Sequence, residues 1–153
     1  MNQNVLIRRA DSTVRLPTRA TDGSAGWDIY AHKIVLDTDN ASATVHTGLY
    51  VAFPNTMVMC LFGRSGLSSN FGLVPANGTG IIDSDYRGEI LVKFTNLSPK
   101  AFRRLKDMQE NAEMVAPDRI VQALFLPIIP AVIVETSELP ATVRGEGGFG
   151  STG

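Results

Sequence analysis

Apolar and polar residues alternate in short runs through most of the chain, at 5–9, 44–47, 49–53, 57–62, 89–95, 120–126 and 131–134. A period of two is that of a strand with one buried face. Strands this short, punctuated by turn residues, predict an all-β sandwich or closed barrel. In the run at 89–95, Ile90, Val92 and Phe94 share one face while Glu89, Lys93 and Thr95 take the other, so one side is expected to be dry. One segment changes period. Ser98 suits a helix cap, Pro99 suits the first helical position, and Phe102, Leu105 and Met108 or Gln109 recur at helical spacing, which predicts a short surface helix over about 99–109. Its basic run, Arg103, Arg104 and Lys106, reads as a solvated face in preference to a docking patch.

Composition limits what such a fold can do. A chain of 153 residues, 44% hydrophobic, builds one domain. With 19% charged residues and a net charge of -1 there is no broad field to draw nucleic acid or an anionic membrane, and neither is expected as a partner. An anionic ligand must be caught locally. The single cysteine, Cys60, lies between Met59 and Leu61 in an alternating run, so a buried thiol in a reducing compartment is expected. The apolar stretch at 123–134 is broken by Pro127 and Pro130 and is too short to span a bilayer, and the first residues lack the pattern of a secretory signal.

Several sites of familiar type are excluded. There is no GxxxxGK[ST], no HExxH and no paired CxxC, and His32 and His46 are the two histidines, so a zinc site of protein ligands is not expected. The G-x-G-x-x-G at 145–150 has only three residues after it, too few for the helix a dinucleotide fingerprint needs. Around Ser65 the sequence GRSG lacks the second glycine of a nucleophile elbow, and no strand-to-helix context is predicted there.

Five segments carry more information: GWDIYA (26–31), GRSGLSS (63–69), NGTGIIDSDYRGE (77–89), DRIVQ (118–122) and RGEGGFGSTG (144–153). Each joins glycines to polar side chains. Arg64, Ser65, Gln122, Arg144, Ser151 and Thr152 are donors suited to several phosphate oxygens, and Asp28, Asp83 and Asp85 supply carboxylates beside them. That balance points to a triphosphate, a metal ion and a base. The last nine residues hold five glycines and, apart from Phe149, nothing to order them by burial, so a flexible Gly-rich tail is expected.

In order and spacing these segments resemble the five motifs of the trimeric dUTPase family, over nearly the full chain. The resemblance implies a jelly-roll-like β-barrel domain over 1–143, with a mobile segment over 144–153 that closes on the active site. It implies a homotrimer with sites shared between subunits, dUTP as substrate and Mg²⁺ as cofactor. The reaction implied is hydrolysis to dUMP and pyrophosphate by water attack on the α-phosphorus. Asp83 matches the general base, and Asp28 the aspartate that holds Mg²⁺ through water while the phosphates supply the inner ligands. Arg64, Ser65, Gly66 and Gln122 match phosphate contacts. Asn77, Gly80 and Ile82 belong to the hairpin that reads uracil, and Tyr86 matches the residue that excludes a 2′-hydroxyl. In the tail, Arg144, Gly150, Ser151 and Thr152 match the γ-phosphate clamp and Phe149 the ring that covers the base.

Gly63 and Pro117 depart from the family pattern, and Trp27 stands where tyrosine is more common. The implied setting is cytoplasmic, or nuclear, or a host cell interior for a viral enzyme. Two alternatives share the fold: a regulatory protein that docks a partner according to its nucleotide state, and a dCTP deaminase relative.

Overall fold

A computed structural model describes residues 3–112 and 118–148. Among them run β1 (Leu6–Arg9), β2 (Trp27–Tyr30), β3 (Lys33–Asp37), β4 (Ser42–His46), β5 (Leu49–Ala52), β6 (Met57–Gly63), α1 (Ser65–Phe71), β7 (Thr79–Ile82), β8 (Leu91–Phe94), α2 (Pro99–Ala112) and β9 (Arg119–Pro127). The strands form three antiparallel sheets, ordered β1-β5, β2-β9-β6-β7 and β3-β4-β8. Most partners are distant in sequence, as in a jelly-roll-like all-β fold.

Period two becomes burial where it was expected. Ile90, Val92 and Phe94 are buried, while Leu91, Lys93 and Thr95 face out. They join Ile29, Ile34, Val45, Leu49, Met59 and Val121 in one core. Cutting Phe94, 1% exposed, to Ala would cost about 3–5 kcal/mol. Cys60 is buried in β6.

Where pattern and structure part, the cause is tertiary. The expected strand at 131–134 has no strand partner among the described residues, and Val132, Ile133 and Val134 stand at least 75% exposed. Alternation marks a segment able to pair but does not supply an edge to pair with. β2 and β3 were missed because they do not alternate cleanly, and β7 because it is four residues with an internal glycine. α1 was not expected at all: Ser65, Gly66, Ser68, Ser69 and Asn70 are poor helix formers. Buried Leu67 and the left-handed Gly72 that closes the last turn fix it in place.

α2 starts as predicted but reaches Ala112. The Ala101 amide donates to Ser98 Oγ at 3.2 Å, and Ala101, Leu105 and Met108 are at most 1% exposed. Its basic face is not uniformly solvated, because Arg104 Nη2 lies 3.1 Å from Asp118 Oδ2 and Arg104 Nε is buried. No described helix is long and apolar enough to cross a membrane.

Candidate active site

The site starts from strand register. β2 sets Asp28 opposite Gln122 of β9, and β9 sets Gln122 opposite Phe62 of β6, so Gln122 lies between Asp28 and the end of β6. The next residue after β6 is Arg64, in extended conformation (φ -95, ψ 131) at the cap of α1. Its Nε lies 3.0 Å from Asp28 Oδ1, and Arg119 Nη1 lies 3.2 Å from Oδ2. Asp28 is only 7% exposed, one of two buried polar or charged residues among those described. A buried carboxylate is retained when charge-assisted bonds replace its hydration, and here each oxygen has a guanidinium. Two cations around one anion leave local positive charge for a phosphate.

Gln122 closes one side. A side chain at Gly26 would bring its Cβ within 2.8 Å of Gln122 Oε1, so glycine is needed for the amide to lie against β2. Ser65 and Gly66 open the first turn of α1, where backbone N–H groups have no helical acceptor.

β6 does run through Arg64 into a helix, which corrects the expectation that Ser65 has no strand-to-helix context. The triad still lacks its base: His32 pairs with Asp11 and His46 with Glu89.

A second group of site residues surrounds β7. Asn77 and Gly78 make a tight turn, with Gly78 at φ 68 and its amide donating to the Pro75 carbonyl at 2.8 Å. The strand that follows pairs with β6 rather than with a neighbour across the turn, so the expected two-strand hairpin is instead a turn feeding a sheet edge. An edge strand leaves alternate backbone groups unpaired. Asn77, Gly80 and Ile82 line a cavity of about 310 Å³ with Leu61 and Lys93. Ile82, Asp83 and Tyr86 line another of about 180 Å³. The Tyr86 amide donates to the Asp83 carbonyl at 3.1 Å, and Tyr86 Oη donates to the Glu89 carbonyl at 3.0 Å. The Asp83 and Tyr86 side chains are exposed.

These two groups do not meet within one chain. β2 and β7 are the two edges of the four-stranded sheet, and three strand spacings separate them by roughly 14 Å. Thr79 shares the row of Asp28, Gln122 and Phe62, and Asp83 follows it by four positions, adding about 13 Å along the strand.

Arg144 is exposed and its Nε donates to its own turn, to the Gly147 carbonyl at 2.7 Å. Phe149, Gly150, Ser151 and Thr152 lie outside the described residues, as does Pro117. Among the described residues no three His, Cys, Asp or Glu side chains converge as a metal cage.

Arg119 was missed by sequence reasoning. Strict alternation puts it on the opposite face from Gln122, but Tyr30 pairs with Arg119 and Ile29 with Val121, leaving Ile120 as an extra residue. That register shift returns Arg119 to the Asp28 side. The pairing of an Asp in one glycine-bounded segment with the Arg of another was the only signal available.

An all-β fold with a guanidinium-held carboxylate at one sheet edge and a backbone-lined recess at the other is that of a protein handling a phosphorylated ligand. Comparison makes the class specific: a dUTPase family model matches residues 12–153. The deoxyuridine 5'-triphosphate nucleotidohydrolase of Desulfitobacterium hafniense is 41% identical over 149 residues, covering 95% of this chain and 91% of its own. That of Dictyoglomus turgidum is 38% identical, covering 97% of each. In structure, a variant of the Staphylococcus bacteriophage 80alpha dUTPase with dUpNHpp superposes with TM-score 0.77 at 24% identity, covering 98% of both chains. A variant from phage phi11 of S. aureus with a structural Mg(II) ion gives 0.67 at 23%, covering 88% of this chain and 97% of that one. The chain belongs to the dUTPase family. It is a hydrolase of nucleotide metabolism, a dUTP diphosphatase.

Proposed function

We propose that the enzyme cleaves dUTP to dUMP and pyrophosphate by attack of one water on the α-phosphorus, in a site that different copies of the chain complete together. The observation that carries this reading is the register that gathers Asp28, Arg64 and Gln122 at one sheet edge while Asp83 and Tyr86 stand far along the other. A base must come within hydrogen-bond reach of the water it activates, about 2.6–3.2 Å. A separation on the order of 20 Å, counted by strand spacing, supports cooperation between subunits over cooperation within one. A second copy offering its Asp83 edge to this Asp28 edge restores it.

Arg64, Gln122 and the backbone at Ser65 and Gly66 would hold phosphate oxygens, with charge-assisted bonds from the guanidinium. Asp28 fits a cation held mostly by substrate. It is a lone carboxylate whose oxygens each carry a guanidinium yet keep acceptor capacity for a coordinated water. The phage phi11 relative's structural Mg(II) ion supports the chemical class. When bound, Mg²⁺ would neutralise phosphate charge. Asp83 would take the proton of the attacking water, a contribution of roughly 10²- to 10⁴-fold in rate.

Asn77 and the backbone at Gly80 and Ile82 would read the uracil edge, where a fixed N–H donates to O4 and rejects the amino group of cytosine. Tyr86 would exclude a 2′-hydroxyl. The segment 144–153 would close from a third copy, with Arg144, Gly150, Ser151 and Thr152 on the γ-phosphate and Phe149 over the base. The exposed apolar side chains of Ile129, Val132, Ile133 and Leu139, each at least 84% exposed, supply contact surface for such a homotrimer.

One assay tests the reading: pyrophosphate release from dUTP, dTTP, dCTP and UTP, with and without Mg²⁺. Release confined to dUTP and dependent on the metal supports it. Equal turnover of UTP, or undiminished turnover in chelator, contradicts it.

A further inference from the structure

α2 was expected to present a basic, solvated face, yet one cation on it points inward. Arg104 Nη2 lies 3.1 Å from Asp118 Oδ2, and its guanidinium carbon lies 5.5 Å from the centre of the Phe71 ring. Its Nε is buried with no hydrogen-bond partner among the described residues.

Both of these contacts lead to Asp28. Phe71 is the last residue of α1, and the residue that caps α1 is Arg64, whose Nε holds Asp28 Oδ1 at 3.0 Å. Asp118 immediately precedes Arg119, whose Nη1 holds Asp28 Oδ2 at 3.2 Å. The Asp118 carbonyl also accepts from the Ala31 amide at 2.9 Å, tying this point to the strand that carries Asp28. A seven-residue helix of weak formers does not set its own orientation, and the bulged start of β9 has a register to hold. A planar guanidinium can stack on a ring and bind a carboxylate at once, which an ammonium cannot do equally well.

We propose that Arg104 is a positioning residue, which aims both guanidinia at Asp28 by bracing α1 through Phe71 and β9 through Asp118. The proposal rests on reading the Asp28 cluster as the phosphate and metal site. Arg104 touches no reacting group. Its loss therefore displaces ground-state phosphate contacts and raises KM, while kcat, which depends on Asp83 at another sheet edge, changes little.

The test compares Arg104→Met, Asp118→Asn, their double variant and Asp28→Asn, with kcat and KM for dUTP measured beside melting temperature. Arg104→Met and Asp118→Asn are each expected to raise KM about tenfold or more, the usual scale for an outer partner of a site residue. The double variant should match the worse single variant, because both act through one contact. Arg104→Lys should fall between wild type and Met. Should Arg104→Met not fold, Asp118→Asn and Arg104→Lys carry the same comparison. A lower melting temperature with wild-type KM in the folded enzyme assigns Arg104 to stability alone and overturns the proposal, as does additivity in the double variant. Wild-type kinetics in Asp28→Asn would instead overturn the site reading beneath it.

Discussion

Asp28 and Asp83 belong to opposite edges of one four-stranded sheet, four positions out of row, so neither carboxylate can serve the other's site within a single subunit. The division of labour in the proposed mechanism follows from that placement. In that mechanism one edge would bind phosphate with fixed cations, and the other would present a base with a backbone that reads a nucleoside.

Asp83 is predicted to act in chemistry and not in binding. Asp83→Asn should lower kcat by roughly 10²- to 10⁴-fold. Affinity for a non-hydrolysable dUTP analogue, measured by calorimetry, should stay at the wild-type level. Normal turnover would remove the assigned base.

Tyr86 is held rather than free. Its hydroxyl donates to the Glu89 carbonyl at 3.0 Å, and a Cβ at Gly88 would overlap the ring. Tyr86→Ala should therefore admit UTP, and Gly88→Ala should do so partly by pushing the ring aside. A rise of about tenfold in kcat/KM for UTP relative to dUTP is expected for the first. Unchanged rejection of UTP in both would place the gate elsewhere.

Gly26 is predicted to fix where the Gln122 amide lies. Its Cβ would sit 2.8 Å from Gln122 Oε1, so Gly26→Ala must move the amide. Misplacing a positioning group by a fraction of an ångström costs on the order of tenfold in kcat/KM. Steady-state kinetics at wild-type stability would show it, and wild-type values would mean Gln122 is idle.

Trp27 is predicted to report on assembly. Next to Asp28 in sequence, it points the other way on the strand, into an apolar cavity of about 750 Å³ shared with Ile29, Met59 and Phe125. Its emission should shift on dilution to dissociated chains and respond weakly to dUTP. The reverse result would put the ring at the nucleotide.

The legibility of this chain followed its local chemistry. The strand holding Ile90, Val92 and Phe94 and the cap at Ser98 could be read because period and capping are short-range. Asp28, Arg64 and Gln122 could be placed together only through resemblance, since their register depends on three strands far apart in sequence. Arg119 was hidden by a bulge at Ile120, and α1 by residues whose intrinsic preference opposes a helix. The run at 131–134 carries a strand pattern without a strand partner among the described residues. Alternation records what a segment can bury and not where its partner is.

Subunit mixing tests the shared site most directly. Asp28→Asn and Asp83→Asn enzymes, each inactive alone, are dissociated together and reassembled, and dUTP hydrolysis is measured. Hybrids bring an intact Asp28 edge from one variant to an intact Asp83 edge from the other, so activity should return to a substantial fraction of wild type. A mixture that forms hybrids, shown by mass, yet stays inactive would contradict a site built between subunits.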